Sequence, residues 1–234
     1  MSPPWFHLVP FLATVTASFI WFVPKSKPSI FSMVCKCLPV IHLVIYLFYM
    51  DGWSHYENKL VLVALILSAL GDAFLVCPKP FGGLTGVIAF GLAQIVFSCA
   101  FGFRSVSWYI GLILYIIVFI VFGVIVVLES IPPHYFRAVP VFILYGILIA
   151  TMLWRAIDRF HLEEELLLER RICTLLGAII FVVSDLSIIF LQGAEYVPQP
   201  YSKFVTISTY YTAQLLITLG ASQRFWELED PFKK

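Results

Sequence analysis

Eight apolar stretches divide this chain: residues 6–23, 30–50, 60–76, 84–103, 108–128, 139–154, 172–191 and 204–221. Each approaches the roughly 20 residues that a helix needs to cross the hydrocarbon of a bilayer. In lipid every backbone polar group must be satisfied within the protein, so a run of this kind is a helix or does not cross at all. Of 234 residues, 61% are hydrophobic and 12% charged, against about 25% charged in an ordinary soluble domain. The composition excludes a water-soluble globule. The fold class expected is therefore all-α: a polytopic membrane helix bundle of about eight transmembrane helices, residues 1–234 forming a single integral membrane domain. The third and sixth runs are the shortest, which leaves seven or nine as open counts.

The breaks between runs carry turn chemistry: Lys25, Ser26, Lys27 and Pro28; Pro78 and Pro80; Pro132 and Pro133; Pro198 and Pro200. Proline neither continues a helix from within nor leaves its predecessor free to be helical. Short breaks predict antiparallel neighbours for consecutive helices. The longest, residues 155–171, holds Glu163, Glu164, Glu165 and Glu169 around three leucines. It reads as a solvated extension of the seventh helix, supported by pairs such as Glu165 with Arg170. A partner-docking role is the alternative.

Loops on the N-terminal side hold Lys59, Arg104, Arg155, Arg159, Arg170, Arg171, Arg224, Lys233 and Lys234, and the other side holds Lys25, Lys27, Lys79, Arg137 and Lys203. Lysine and arginine concentrate on the cytosolic side of membrane proteins, which predicts cytosolic termini. The first run lacks the basic stretch of a cleavable signal, so it is expected to be retained. No strip rich in lysine or arginine suits nucleic acid.

Two carboxylates interrupt these runs. Asp72 follows Gly71 in the third and Asp185 follows Ser184 in the seventh. A carboxylate at membrane depth costs at least about 2.5–3.5 kcal/mol, so it faces a protein interior or a wet cavity. Both runs are odd-numbered and point the same way. At about 1.5 Å per residue both acids lie about 6–9 Å beneath one membrane face, so one pocket can hold them. Two acids sharing an apolar pocket repel, and one keeps its proton while the other ionises. That pairing suits acid-catalysed cleavage through an oxocarbenium-like species. It suits a proton-coupled lipid or solute transporter equally.

Other intramembrane polar groups are Lys36, Ser68, Gln94, Tyr145, Tyr210, Tyr211 and Gln214. Ser68 lies one turn before Asp72. Tyr210 and Tyr211 stand four and three residues before Gln214, on one helix face. Lys36 either snorkels to the interface or pairs with an aspartate. Both tyrosines either anchor at headgroup depth or line a site. A faint repeat accompanies them, with small-residue-Asp in the third and seventh runs and Ala-Gln in the fourth and eighth (Ala93-Gln94, Ala213-Gln214). The five histidines are scattered without H-x₃-H or H-E-x-x-H spacing, which argues against a zinc hydrolase. No G-x-S-x-G elbow is present, and the cysteines include no C-x-x-C. No metal and no cofactor is expected.

The sequence resembles the lysoplasmalogenase (YhhN-like) family of eight-helix membrane proteins, and its animal members most closely. The matching motifs are Lys36-Cys37-Leu38-Pro39, Ser68-Ala69-Leu70-Gly71-Asp72-Ala73-Phe74-Leu75, Ala89-Phe90, Tyr145, Met152-Leu153-Trp154-Arg155, Ser184-Asp185, and the run from Ser208 and Thr209 through Tyr210, Tyr211, Thr212, Ala213 and Gln214 to Leu215 and Leu216. They fall in family order over nearly the whole chain. The resemblance implies hydrolysis of the sn-1 vinyl ether bond of lysoplasmalogens to a fatty aldehyde and glycerophosphocholine or glycerophosphoethanolamine. It further implies an endoplasmic reticulum membrane, no required metal, and Asp72 and Asp185 as the catalytic acids. Lys36, Ser68, Gln94, Tyr145, Tyr210, Tyr211 and Gln214 are the substrate-binding candidates. One motif departs. Where relatives read Ala-His-x-x-Tyr in the fourth helix, this chain has Ala93-Gln94-Ile95-Val96-Phe97. Gln94 can hydrogen-bond but cannot titrate, which raises the alternative of a catalytically lapsed relative that binds lysolipid.

Overall fold

A computed structural model describes residues 4–24, 29–53, 55–76, 83–104, 106–128, 139–192 and 197–229. Among these the secondary structure is helical throughout: a short 3₁₀ turn Pro4–Leu8, then α1 (Val9–Trp21), α2 (Ile30–Asp51), α3 (Tyr56–Val76), α4 (Leu84–Phe101), α5 (Trp108–Leu128), α6 (Val139–Leu162), α7 (Leu168–Ser187), a π-helical turn Ile188–Gln192, α8 (Gln199–Ala221) and a short α9 (Gln223–Glu229). The loop residues Lys25, Lys27, Pro28, Pro78, Lys79, Pro80, Pro132, Pro133, Arg137, Lys233 and Lys234 lie outside the described residues. Ser29 starts α2 by accepting a hydrogen bond from the Ser32 amide at 3.0 Å. This is the usual way to satisfy an orphaned N-terminal donor. The sequence contained no expectation of α9. Its start is held by Asp51, which accepts from the Gln223 and Arg224 amides and from Ser222 Oγ.

The exterior is apolar. Ile20, Ile45, Leu112 and Ile120 are each more than half exposed, which a water-facing surface does not sustain over such areas. Helices α2, α3, α4, α6 and α7 with its π turn are each long and apolar enough to cross a membrane. The chain is an integral, multi-pass membrane protein. Five helices meet that test among the described residues, against about eight expected. α1 and α5 contribute shorter apolar segments. α8 spans 23 residues but is diluted by polar side chains, because it buries Ser202, Thr206, Tyr210, Gln214 and Thr218. Those five recur every fourth residue, so they form one inward ladder down the helix.

Small residues decide which helices close up, as expected where lipid supplies no hydrophobic drive between them. α7 and α8 pack most extensively. A Cβ on Gly177 would meet Ile217 at 2.7 Å, and one on Gly220 would meet the Arg170 carbonyl at 3.0 Å. Gly71, just before Asp72, likewise admits the Phe90 ring of α4. Not every consecutive pair packs extensively. α4 packs on α3 and α6, and α5 packs on α6, so α5 stands outside the bundle proper.

The segment 155–171 is solvated only in part: Glu164 and Glu165 are exposed, but three of its arginines are not. α6 continues to Leu162 and α7 begins at Leu168, and Arg155, Arg159 and Arg170 are buried. Arg155 pairs with Asp158 at 2.6 Å and donates to the Gly102 carbonyl at 2.6 Å. Arg159 and Arg170 share Glu57 at 2.6 and 3.0 Å, and Arg170 also donates to the Gly220 and Ala221 carbonyls. The guanidinium groups thus cap the ends of α4 and α8, where unsatisfied carbonyls attract cations. Glu165 instead faces Arg104 at 3.5 Å on the exposed surface, and Arg170 belongs to Glu57.

Candidate functional site

At the end of the bundle opposite this arginine cluster, helices α2 to α8 enclose a cavity of about 350 Å³. Asp72 and Asp185 both line it, together with Lys36, Tyr145 and Tyr210. Helix direction accounts for the meeting. α3 and α7 run the same way and carry their acids near the same end. α2, α6 and α8 return past them, with Lys36 and Tyr145 in the second turns of α2 and α6 and Tyr210 midway along α8.

The two acids have different partners. Asp72 is 1% exposed. Its Oδ1 lies 3.0 Å from Lys36 Nζ, and its Oδ2 accepts from the Tyr210 hydroxyl at 2.8 Å. Lys36 is itself buried, so it pairs with the acid and does not reach the interface. Asp185 is half-buried and accepts from the Tyr145 hydroxyl at 2.5 Å. Among the described residues no cation lies within ion-pair distance of Asp185. Instead of two like acids repelling each other, the cavity holds one carboxylate balanced by an ammonium and one met by a neutral phenol.

The remaining candidates stand behind the cavity wall. Tyr211 turns away from the cavity. Its hydroxyl donates to the Lys36 carbonyl at 2.8 Å and lies 2.9 Å from Ser18 Oγ. It braces the lysine's backbone from outside the cavity. Ser68, Gln94 and Gln214 are fully buried, and their side-chain polar atoms lack hydrogen-bond partners of good geometry. Gln94 stands beside Tyr145 and Gln214 beside Tyr210. Each acid is therefore backed by a tyrosine and each tyrosine by a glutamine. Buried polar groups of this kind are ordinarily satisfied, so both amides mark a polar layer beneath the acids.

Sequence reasoning missed several groups here. Ser184 donates to the Thr206 carbonyl at 3.1 Å and Ser187 pairs with the Thr206 hydroxyl at 2.7 Å, which ties the Asp185 turn to α8. The four-residue ladder on α8 was the signal available for Thr206. Lys203 Nζ lies 5.7 Å from the Phe22 ring centre and Lys36 Nζ lies 5.9 Å from it, within cation–π range. Nothing in the sequence links Phe22 to Lys203. No group of three or more His, Cys, Asp or Glu side chains able to hold a metal occurs among the described residues.

The YhhN family's sequence profile matches residues 31–221. Lysoplasmalogenase TMEM86B of Sus scrofa is 35% identical over 216 residues, 92% of this chain and 86% of that protein. Lysoplasmalogenase TMEM86A of Bos taurus is 30% identical over 226 residues, covering 95% and 91%. The human lysoplasmalogenase TMEM86B is 33% identical over 214 residues, covering 92% and 85%. No solved structure matches.

Proposed function

The chain belongs to the YhhN family, and from that premise we propose that it is a membrane hydrolase cleaving the sn-1 vinyl ether bond of lysoplasmalogens. The observation that carries this reading is the pairing of Asp72 and Asp185 in one cavity with unlike partners. Vinyl ether hydrolysis begins with proton transfer to the β-carbon, which leaves an oxocarbenium ion. Asp185 is the proton donor: Tyr145 donates to one of its oxygens, and among the described residues no cation lies close enough to favour its ionised form. Asp72, its charge balanced by Lys36, is the carboxylate. It stabilises the cation and orients water towards the carbon next to the ether oxygen. Water adds there, and its surplus proton returns to Asp185. The hemiacetal then collapses to a fatty aldehyde and a glycerophospho-alcohol. Atoms balance as one vinyl ether plus one water.

Lys36, Tyr145 and Tyr210 hold the acids and meet the substrate directly. Ser68, Gln94, Tyr211 and Gln214 support them from behind. Lys203, in the first turns of α8, sits at headgroup depth for the substrate phosphate. The family resemblance adds an endoplasmic reticulum membrane and no required metal, and the distribution of lysine and arginine between the loops adds cytosolic termini. Purified protein supplied with a defined lysoplasmalogen is expected to release aldehyde, and Asp185→Asn is expected to abolish the release. Folded wild type that releases none with either choline or ethanolamine headgroups sinks the proposal, and proton-driven uptake into liposomes would replace it with transport. Gln94→His is expected to change the rate by less than about tenfold, because Gln94 reaches the chemistry through Tyr145. A larger gain would identify a lapsed site.

A further inference from the structure

The cavity holding the acids does not end at them. Its polar lining gathers at the level of Asp72, Asp185, Tyr145 and Tyr210, and the rest is apolar, running down α5 and α6 past Ile117 and Ile149 to Leu114 and Leu153. From Tyr145 to Leu153 is eight residues, about 12 Å along the helix axis. The direction is away from the face near which the acids lie and towards the bilayer centre. A single-chain lipid anchored by its headgroup at that face sends its tail the same way.

The wall beside this apolar arm is incomplete. α5 and α7 both line the cavity, yet α5 packs on α6 and not appreciably on α7. The residues along this seam face two ways. Ile117 of α5, Leu186 of α7 and Ile188 of the π turn line the cavity and are also 48%, 36% and 43% exposed on the apolar exterior. The cavity therefore opens sideways, at a depth where the surroundings are lipid.

α5 is clamped to α6 on either side of the arm. At the inner end a Cβ on Gly111 would meet the Trp154 ring at 2.8 Å, and Trp108 packs against Trp154 at a tilt with ring centres 5.6 Å apart. At the outer end Gly146 receives Phe122 and Val118. Between them Tyr115 bonds Thr151 at 2.9 Å. Leu114 and Leu153 are the last lining residues of α5 and α6 at this end, and the buried Trp154 follows next on α6. The π turn following Asp185 is a helix irregularity of the kind that recurs at functional sites, and it forms the opposite lip of the opening.

We propose that the substrate's hydrocarbon chain enters from the bilayer through the seam between α5 and α7 and lies along α5 and α6, with Leu114 and Leu153 setting the chain length accepted. This rests on the hydrolase reading for the identity of the substrate, though not for the place of the chain. A second apolar groove, between α2 and α3 and lined by Met33, Ile41 and Ile66, contains neither acid and is the competing site for a lipid tail.

Two measurements on the full chain in nanodiscs test it. An uncleavable 1-O-alkyl lysophosphatidylcholine with a terminal diazirine, photolysed and mapped by peptide mass spectrometry, is expected to label residues 114–121 or 149–153. Label confined to the α2–α3 groove, or spread evenly over the helix exteriors, overturns the proposal, and neither result depends on catalysis. In the second, Leu114→Trp and Leu153→Trp are expected to lower kcat/KM for long-chain relative to short-chain lysoplasmalogen by about tenfold or more, chiefly through KM, since each buried methylene carries a fixed increment of transfer free energy. A chain-length profile matching wild type overturns it. Wild type that releases no aldehyde removes the hydrolase reading instead, and the labelling result then still decides where the chain lies.

Discussion

Charged groups are buried at both ends of this bundle, and the two ends are built differently. At one end Arg155, Arg159 and Arg170 meet Asp158 and Glu57, and their remaining donors reach the carbonyl ends of α4 and α8. At the other end Lys36 pairs with Asp72 alone, Asp185 has the Tyr145 phenol, and among the described residues the amides of Gln94 and Gln214 stand behind them without good hydrogen bonds. In the first arrangement every guanidinium has a carboxylate partner, Arg155 and Arg170 also reach the carbonyl ends of α4 and α8, and none of these charged groups lines the cavity that holds the acids. The second leaves Asp185 facing an open cavity with a phenol as its partner. Saturated charge holds helices together, and undercompensated charge beside a cavity is available for chemistry. Removing a group should therefore cost stability at the arginine end and activity at the acid end.

The largest expected effect is Asp185→Asn. The amide still accepts from Tyr145 and breaks no ion pair, so aldehyde release should fall by about 10²–10⁴-fold with little change in thermal unfolding in detergent. A comparable loss of stability would mean that Asp185 is a structural clamp. At the other end, Asp158→Asn or Arg155→Met breaks a buried ion pair, at a cost of about 3–5 kcal/mol. Unfolding temperature should fall sharply while the rate per folded molecule stays near wild type. Asp72→Asn belongs to both classes, since it strands Lys36, and should lose activity and stability together. Double replacement by Lys36→Met and Asp72→Asn should recover stability without activity.

Smaller effects sharpen the contrast. Lys203→Met should raise KM for lysoplasmalogen by a factor of about three to ten, with salt narrowing the difference, as expected for a partly exposed charge. Initial rates across ionic strength check this. The smallest effect concerns Glu163, in the link between α6 and α7. Burial raises its carboxyl above the ordinary range, with Arg159 pulling the other way and Glu57 adding to the rise. A raised acid favours the folded state while protonated and loses that contribution as pH rises towards its folded value. Glu163→Gln should leave stability unchanged below about pH 4 and raise the unfolding temperature by no more than a few degrees near neutrality. A pH-independent shift would remove burial as the cause.

Much of this was legible because membrane crossing makes simple demands. Long apolar runs have to be helices. An aspartate inside one has to face protein or water. Parity of the helices then puts Asp72 and Asp185 at one end. Tyr210 was legible from its spacing to Gln214, and Thr206 was available four residues earlier on the same face. The arginines were misread for a definite reason. Charge near a helix end ordinarily snorkels to water, and beyond the nearby Asp158 it is contact with Glu57 on α3 and the carbonyls of α4 and α8 that keeps Arg155, Arg159 and Arg170 dry. Those partners are separated by 50 residues or more, and no local pattern announces them.

Helix content, membrane character and the shared depth of two costly carboxylates follow from the sequence alone, because periodicity, length and transfer cost are properties of single segments. Which acid receives the lysine, which tyrosine faces the cavity and which braces the lysine's backbone, and which seam opens to lipid were decided by tertiary packing. These choices depend on the rotation of each helix about its axis, and small residues such as Gly71, Gly146 and Gly177 set that rotation through contacts made only between helices.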